Sequence, residues 1–212
     1  MSEGLRERKK RQTRQYISDV ATHLFIERGF DAVTIAEVAE ASDVSVNTVY
    51  NYFSTKEDLF LDRSQGVVER LSRFVRARDP GESAADAVLR ELREATEAVS
   101  PALGLHTGYD RFMKVVQESH SLRSRLWFIQ QDLLVHLEKT LREETGAADS
   151  DSLPTLVAGQ LAWAHGTLMA FIGRLMLAGK APEETSREAL ALLDDIEEVL
   201  GAKVLKYAVR QG

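Results

Sequence analysis

The sequence predicts an all-α protein of about nine helices, and three observations support this fold class. Apolar residues recur at steps of three and four along most of the chain, and no segment alternates between polar and apolar residues as a strand would. Only 4 of the 212 residues are Pro, and three of them stand near the start of an expected helix. With 44% hydrophobic residues, the chain is apolar enough to bury a substantial core.

The first helix is expected from about Glu7 to Arg28, because Gly29 follows as a C-terminal stop. Its apolar residues form one stripe at helical spacing, which is expected to face the core. The stripe consists of Tyr16, Ile17, Val20, Ala21, Leu24 and Phe25.

Two short helices are expected after Thr34, joined by a tight turn at residues 41–44. Thr34 begins the first helix with a capping box, in which its hydroxyl accepts the Glu37 N–H and the Glu37 carboxylate accepts the Thr34 N–H. Ser45 is placed to cap the second helix, although no acid stands at the reciprocal position. Two short helices around a tight turn are the arrangement that places a second helix in the DNA major groove.

The second short helix has an outer surface that suits DNA. Val49 and Phe53 lie four residues apart and are expected to anchor the helix to the core. Asn pairs with adenine edges, Val contacts thymine methyl groups, and hydroxyls donate to phosphates. An ordinary helical hairpin is the alternative, because the same shape occurs in proteins that never bind nucleic acid. The side chains left outside are Val46, Asn47, Thr48, Tyr50, Asn51 and Tyr52.

The run from Val44 to Leu59 resembles the DNA-binding signature of the TetR family of bacterial transcriptional regulators. Residues 21–30 and 34–39 resemble the end of that family's first helix and the start of its second. The resemblance covers about the first quarter of the chain, and Asn47 departs from it, because the family often has a small residue or Pro there. The residues in register are Thr48, Tyr50, Tyr52, Phe53, Lys56, Glu57 and Leu59.

The resemblance implies a helix-turn-helix DNA-binding domain, here residues 1–54, and a helical effector-binding and dimerisation domain, here residues 55–212. It implies a regulator, typically a repressor, that binds a palindromic DNA operator as a homodimer and is released by a small effector. Base readout is then expected from Val46, Asn47 and Asn51, beside the cap Ser45. Phosphate contacts are expected from Thr34, Thr48, Tyr50, Tyr52 and Lys56.

The charge distribution has to be reconciled with DNA binding, because the net charge is −6. Residues 1–16 hold six cations against two acids, a local charge of +4, whereas residues 17–60 are acidic on balance. The basic run is either a solvated tail or an arm that approaches phosphates, and the arm is favoured beside a DNA-reading helix. DNA affinity is therefore expected from placed contacts rather than from bulk potential.

A fourth helix is expected from about Lys56 to Arg78, after a cap at Ser54 or Thr55. Beyond it the chain keeps its helical periodicity without a strand signal. The further helices are expected at residues 83–99, 101–118, 121–145, 153–178 and 183–209.

The segment from Leu153 to Leu177 is the most apolar, so a membrane span has to be weighed against a core helix. Gln160, His165 and Arg174 interrupt it and no cationic flank adjoins it, which favours a core helix. A ridge of small residues at four-residue intervals would let another helix approach closely. The ridge consists of Ala158, Ala162, Gly166 and Ala170.

The last helix repeats apolar residues at steps of four and three, with acidic residues on its far side. Together with the segment at 153–178, it is expected to form the four-helix interface of a homodimer. Completion of a monomer core is the alternative for both helices. The apolar residues are Ala189, Leu193, Ile196, Leu200 and Tyr207, and the acids are Asp194, Asp195, Glu197 and Glu198.

The middle helices combine a wide aromatic surface with a few hydrogen-bonding tips. Such a composition suits a pocket for a mostly apolar small molecule. Ordinary core packing is the alternative for each of these residues. The candidate ligand-binding residues are His106, Tyr109, Phe112, Met113, Trp127, Phe128, Gln131, Trp163, His165 and Met169.

An enzyme finds little support in the sequence. The five His residues lack the His-x-x-x-His and Glu-x-x-His spacings, and no glycine-rich phosphate loop follows a strand, so no metal or other cofactor is expected. A helical enzyme using His106 or His165 is therefore the weaker alternative. A ligand-blind regulator whose C-terminal domain only dimerises is the other. Zero Cys and the lack of a charged-then-apolar leader predict a cytoplasmic protein.

Overall fold

The structure, a computed structural model, describes residues 4–62 and 64–212, apart from the side chains at 64 and 65. The described residues form helices and connecting turns without a strand, so the predicted all-α fold is confirmed. A 3₁₀ turn occupies Pro101–Leu103. The α-helices are α1 (Leu5–Arg28), α2 (Ile35–Ala41), α3 (Val46–Tyr52), α4 (Lys56–Phe60), α5 (Ser64–Val68), α6 (Arg70–Ala77), α7 (Ala84–Glu97), α8 (Tyr109–Glu118), α9 (His120–Thr145), α10 (Leu153–Leu177), α11 (Pro182–Val199) and α12 (Ala202–Leu205).

The chain divides into two compact units. The first unit comprises the chain up to residue 64 together with residues 114–125, and the second comprises residues 65–113 and 126–212. The division differs from the predicted boundary at residue 54, because α4 belongs to the first unit. Leu59 and Phe60 of α4 are buried there, and the Ser18 hydroxyl of α1 donates to the Leu59 carbonyl at 3.0 Å.

Helix α1 follows the prediction closely, with one correction. It ends at Arg28 before Gly29, whose φ of 87° takes the chain out of the helix. Ile17 is buried, but Tyr16, which was placed in the same stripe, is 53% exposed. The reason is geometric: the buried residues of α1, from Ile17 to Phe25, form a face centred about 140° around the helix from Tyr16, so Tyr16 points away from the core.

The predicted continuous fourth helix is wrong, because the chain forms three helices, α4 to α6, in its place. Leu61 is buried and Asp62 pairs with Arg14 at 2.7 Å, which draws the chain out of helical register after α4. A single turn residue, Glu69, separates α5 from α6.

Two other predicted helices are shorter than expected. The segment 101–118 begins as the 3₁₀ turn and becomes α8 only at Tyr109, because Gly104 and Gly108 both have positive φ. The last segment ends as α11 at Val199, where Leu200 turns to an extended conformation before Gly201 and α12. In each case the break follows a backbone conformation that a continuous helix excludes.

The core of the second unit forms around α7, α10 and α11, which pack on one another. Among the described residues α10 is the one helix whose length and composition would allow it to cross a membrane. Val157, Leu161, Leu168 and Ile172 of α10 are instead buried in this core. A core helix of a soluble protein has this pattern.

Gly104→Ala and Gly108→Ala form a matched pair that separates steric overlap from backbone strain. Both glycines have positive φ, but a Cβ at Gly104 would lie 2.4 Å from the Tyr109 ring, whereas none of the described atoms lies within 4 Å of one at Gly108. We expect Gly108→Ala to lower the free energy of unfolding by about 1 kcal/mol and Gly104→Ala by about 3 kcal/mol. Equal losses in chemical denaturation would contradict the overlap with Tyr109.

Candidate nucleic-acid interface and effector site

The two short helices α2 and α3 begin at the caps that the sequence predicts. The Thr34 hydroxyl accepts the Glu37 N–H at 3.2 Å, and the Glu37 carboxylate accepts the Thr34 N–H at 2.8 Å. This bond to the Thr34 backbone is the main cause that holds the pKa of Glu37 below its ordinary value. Between the helices Asp43 has a φ of 52°, which makes the turn tight. The predicted capping box and turn are confirmed.

Helix α3 is anchored on its inner side and presents the predicted residues on its outer side. The Ser45 hydroxyl accepts the Thr48 N–H at 3.0 Å, and Val49 and Phe53 are buried. The Thr48 hydroxyl lies 2.8 Å from that of Ser45, so it takes part in the cap. The side chains of Val46, Asn47, Tyr50 and Asn51 are exposed, and those of Thr48 and Tyr52 are half-buried.

Arg14 of α1 fixes the end of α3, a role that sequence reasoning missed. Its Nε donates to Asp62 at 2.7 Å, and its Nη1 donates to the carbonyl of Tyr52. The guanidinium also lies over the Phe53 ring, 4.4 Å from the centroid. These partners stand 38 or more residues away in sequence, so no local spacing could have indicated them. The cations of the predicted basic arm lie on α1, which begins at Leu5.

The Lys56 side chain, which was expected to contact a DNA phosphate, also makes contacts inside the first unit. Its ammonium donates to the Phe30 carbonyl and lies over the Phe30 ring, 4.4 Å from the centroid. Burial is the main cause that lowers the pKa of Lys56. Thr55, which caps α4, forms a capping box with Asp58. Lys56 therefore holds the chain between α1 and α2 in addition to any contact with DNA.

In the second unit, the residues proposed to line a pocket form an inner and an outer group. Tyr109 and Phe112 of α8 are half-buried and stacked, with ring centroids 5.7 Å apart. Met113 lies against α10 at Gly173, where a Cβ would come within 3.3 Å of its Cε. His165 of α10 is buried and Met169 is half-buried. The structure therefore brings five of the ten candidate residues to the inner sides of α8 and α10.

The outer group is not brought together with these residues, except for His106, whose ring packs edge-on against Tyr109 with the centroids 5.6 Å apart. Trp127 is 59% exposed and Trp163 is 48% exposed, and Phe128, Gln131 and His106 are exposed as well. Helix α9 contributes Ile129, Leu133 and Leu137 to the buried face, which leaves Trp127 and Phe128 on its outer side. Sequence periodicity gives the helix face on which these aromatic residues lie, but it does not show whether another helix covers that face.

His165 is neutral at pH 7 in this environment. Its ring is fully buried, and its Nε2 lies 3.5 Å from Nη1 of Arg70, the first residue of α6. Burial first and the Arg70 charge second lower the pKa of His165 to about 4. Burial likewise raises the pKa of Tyr109. The polar groups beside the inner aromatic residues are thus one cation, one neutral imidazole and one phenol.

An open groove along α7 offers no competing ligand site. Its lining residues carry mostly charged side chains, including Arg90 and Arg93. Arg90 pairs with Glu82 at 2.8 Å, and Arg93 pairs with Asp194 at 2.6 Å and Glu197 at 3.1 Å. These charges satisfy one another, so the groove lacks the apolar lining of a typical small-molecule site.

The proposed dimer helices divide their apolar residues between core and surface. In α11, Ala189, Leu193 and Ile196 are buried within the second unit, as the monomer-core alternative required. In α10, Leu156 and Trp163 are exposed. An unpartnered apolar surface therefore remains on α10.

The predicted ridge of small residues needs a correction. Ala158 at one end is buried, whereas Ala170 at the other end is exposed. Each four-residue step advances about 40° beyond a full helical turn, so a ridge of four residues winds from the core to the surface. Ala162 and Gly166 between them are half-buried, so only Ala170 belongs to the exposed face of α10.

His165→Gln tests the neutral state of this histidine. The unfolded residue takes up a proton near pH 6.5 and the folded one near pH 4, so wild-type stability falls as the pH drops between these values. We expect this contribution to reach about 3 kcal/mol and to be missing from His165→Gln, which does not titrate. Chemical denaturation across this pH range measures it, with His120→Gln, an exposed position, as control. Parallel stability curves for wild type and His165→Gln would contradict the assignment.

Comparison with known proteins shows which family these features resemble. Residues 17–62, which contain the helix-turn-helix, match the family described as "Bacterial regulatory proteins, tetR family". The chain is 26% identical over 163 residues to the HTH-type transcriptional regulator TcmR of Streptomyces glaucescens, covering 73% of this chain and 70% of TcmR. It is 34% identical over 84 residues to the HTH-type transcriptional regulator AcrR of Shigella flexneri, covering 38% of each protein.

The fold likeness extends over nearly the whole chain. NalD, the secondary repressor of the MexAB-OprM multidrug efflux pump in Pseudomonas aeruginosa, has a similar structure with a TM-score of 0.56 and 18% identity. The match covers 92% of this chain and 98% of NalD. The predicted resemblance to the TetR family is therefore confirmed: the helix-turn-helix segment matches the family of bacterial regulatory proteins, and the fold of the chain is similar to that of NalD.

Proposed function

We propose that this protein is a repressor that binds a palindromic operator as a homodimer and is released by a small effector bound in its second unit. The observation that carries the DNA-reading part is the outer surface of α3. Val46, Asn47 and Asn51 are exposed there on a helix that is capped at one end and held by Arg14 at the other. A rigidly held helix with amide and methyl groups outward suits direct base readout in the major groove.

Phosphate contacts would fix the register of this helix on DNA. We propose Thr34, Tyr50, Tyr52 and Lys56 for this role, with Thr48 contributing through the capped end of α3. The cations in the first turns of α1 supply the attraction that the acidic remainder of the first unit lacks. Arg14 and Lys56 also make contacts inside the unit, so their loss would disturb the fold as well as DNA binding.

Dimerisation follows from the size of the reading surface. One seven-residue helix reaches only a few base pairs, whereas a two-fold pair reads a palindrome. We propose the outer face of α10, with Leu156 and Trp163, as the centre of this interface, and α11 beside it as its second helix. Exposed aliphatic and aromatic side chains on one helix support this assignment.

Release by an effector requires two states of different affinity for DNA. An effector that favours a dimer with its recognition helices at the wrong separation would lower DNA affinity through this difference. The half-buried Tyr109 and Phe112 with the buried His165 support an effector of largely apolar body. A ligand-blind regulator is the second candidate, since core packing also explains these residues. Titration with effectors that leaves DNA affinity unchanged would favour it.

Asn47→Ala and Lys56→Ala are expected to affect DNA binding in different ways. Asn47→Ala removes a base contact and should reduce discrimination at one operator position by about 1–3 kcal/mol. Lys56→Ala should weaken binding to all sequences and reduce the slope of log K against log salt concentration by about 1. Fluorescence anisotropy with DNA from upstream of the protein's own gene, with single-base variants and random DNA, measures both effects.

Lys139→Ala is the matched control, because Lys139 is exposed on α9 in the second unit. Thermal melting of each variant separates DNA effects from the loss of the Lys56 contact with Phe30. Unchanged discrimination by Asn47→Ala, with wild-type stability, would remove Asn47 from base readout.

Trp163→Glu is expected to convert the dimer to a monomer, because it buries a charge in the proposed interface without a partner. Sedimentation velocity measures the mass, and Trp127→Glu provides a control of equal chemistry on the exposed face of α9. The interface assignment fails if Trp163→Glu remains dimeric, or if Trp127→Glu dissociates the protein equally.

A further inference from the structure

The second unit contains a buried cation that lacks a counter-charge. Arg70 is 8% exposed, and its Nη2 donates to the Ala102 carbonyl of the 3₁₀ turn at 2.9 Å. Among the described residues, no carboxylate forms an ion pair with it, and the charged or titratable groups beside it are Arg73, Tyr109 and His165.

Another buried arginine of the same unit shows what full pairing looks like. Arg78 is as buried as Arg70, but its Nη1 donates to Glu144 at 2.7 Å and its Nε donates to the Ala208 carbonyl at 3.0 Å. A buried guanidinium is normally accommodated in this way, because an unpaired charge loses its hydration without compensation. Arg70 has one carbonyl and one imidazole nitrogen in place of these partners.

His165 adds a second unpaired donor beside Arg70. A guanidinium only donates, so the Nε2 of His165, 3.5 Å from Nη1 of Arg70, must be the acceptor. The proton of the neutral ring is then on Nδ1, which is buried and has no partner. Donors thus exceed acceptors at this place, and the missing group is an acceptor that carries negative charge.

The surroundings describe the rest of the molecule that would fit. Tyr109 and Phe112 stack beside Arg70 on α8, and the buried Leu103 and Leu105 belong to the segment that supplies the Ala102 carbonyl. Gly104 allows the Tyr109 ring to lie against this segment, since a side chain at Gly104 would overlap the ring. An apolar wall therefore adjoins the two donors.

We propose that this place is the anion subsite for the effector, which is an organic acid with an aromatic or alkyl body, one oxyanion bound by Arg70, and one neutral acceptor bound by Nδ1 of His165 on the far edge of the ring. The inference rests on the proposed function, because it assigns the chemical class of the effector in the second unit. It also accounts for both unpaired donors with one ligand. The oxyanion accepts from the guanidinium, and a carbonyl or hydroxyl oxygen of the same molecule accepts from Nδ1, which points away from Arg70 because Nε2 faces it.

A matched pair of fluorescent probes tests the anion directly on the full chain without DNA. 1-Anilinonaphthalene-8-sulfonate and N-phenyl-1-naphthylamine share one aromatic skeleton, and only the first carries an oxyanion. We expect wild type to bind the sulfonate at least tenfold more tightly than the neutral probe. Arg70→Met should abolish this preference while the neutral probe still binds. Arg174→Met, an exposed cation on the same helix as His165, should keep it.

Each result decides the proposal. Equal affinity of wild type for both probes, or a preference that survives Arg70→Met, overturns it while leaving an uncharged effector possible under the proposed function. Failure of both probes to bind overturns the anion subsite together with effector binding. DNA affinity is measured separately by anisotropy without a probe, so none of these outcomes bears on the proposal that the protein binds DNA.

Histidine NMR provides a second measurement if Arg70→Met does not fold. With ¹⁵N-labelled histidine in wild type, the sulfonate should shift the His165 Nε2 resonance, because it competes for the Arg70 donor that faces this nitrogen. The resonance is assigned by its loss in His165→Gln, and the neutral probe should not shift it. An unshifted resonance under saturating sulfonate overturns the proposal.

Discussion

A helix of seven residues is too short to keep its conformation alone in water, so α3 depends on what holds it. Ser45 caps its start, Val49 and Phe53 bury its inner side, and Arg14 binds the carbonyl of Tyr52 at its end. These contacts act on the beginning, the middle and the end of the helix. The outer side chains are therefore presented on a fixed scaffold, which lowers the entropy lost when they bind DNA.

The second unit differs, because its core contains an uncompensated polar site. Removing one partner of a buried ion pair typically costs about 3–5 kcal/mol. Arg78 has its carboxylate partner, Glu144, whereas Arg70 donates to the Ala102 carbonyl without a carboxylate partner among the described residues. The apolar residues around Arg70 supply no acceptor that would offset this cost. Such a departure from full pairing is typical of binding sites, where a ligand completes the set of contacts.

Features that depend on near neighbours in the sequence were predicted, and features that depend on distant partners were not. The Thr34–Glu37 capping box and the Ser45 cap need only three residues of spacing, and both are present. The break after α4 depends on Asp62 meeting Arg14, 48 residues away, which periodicity does not record. The exposure of Trp163 was missed for a related reason: spacing gives the direction of a side chain but not what covers it.

The neutral state of His165 matters for selectivity as much as the charge of Arg70. Burial and the nearby guanidinium both disfavour a second positive charge, so the site holds one cation and one neutral donor. One negative charge on a ligand balances the cation, and the imidazole N–H then binds a neutral acceptor of the same ligand. A second negative charge would be desolvated without a counter-charge, and a ligand cation would repel Arg70. The site is therefore complementary to monoanions, a narrower class than apolar molecules in general.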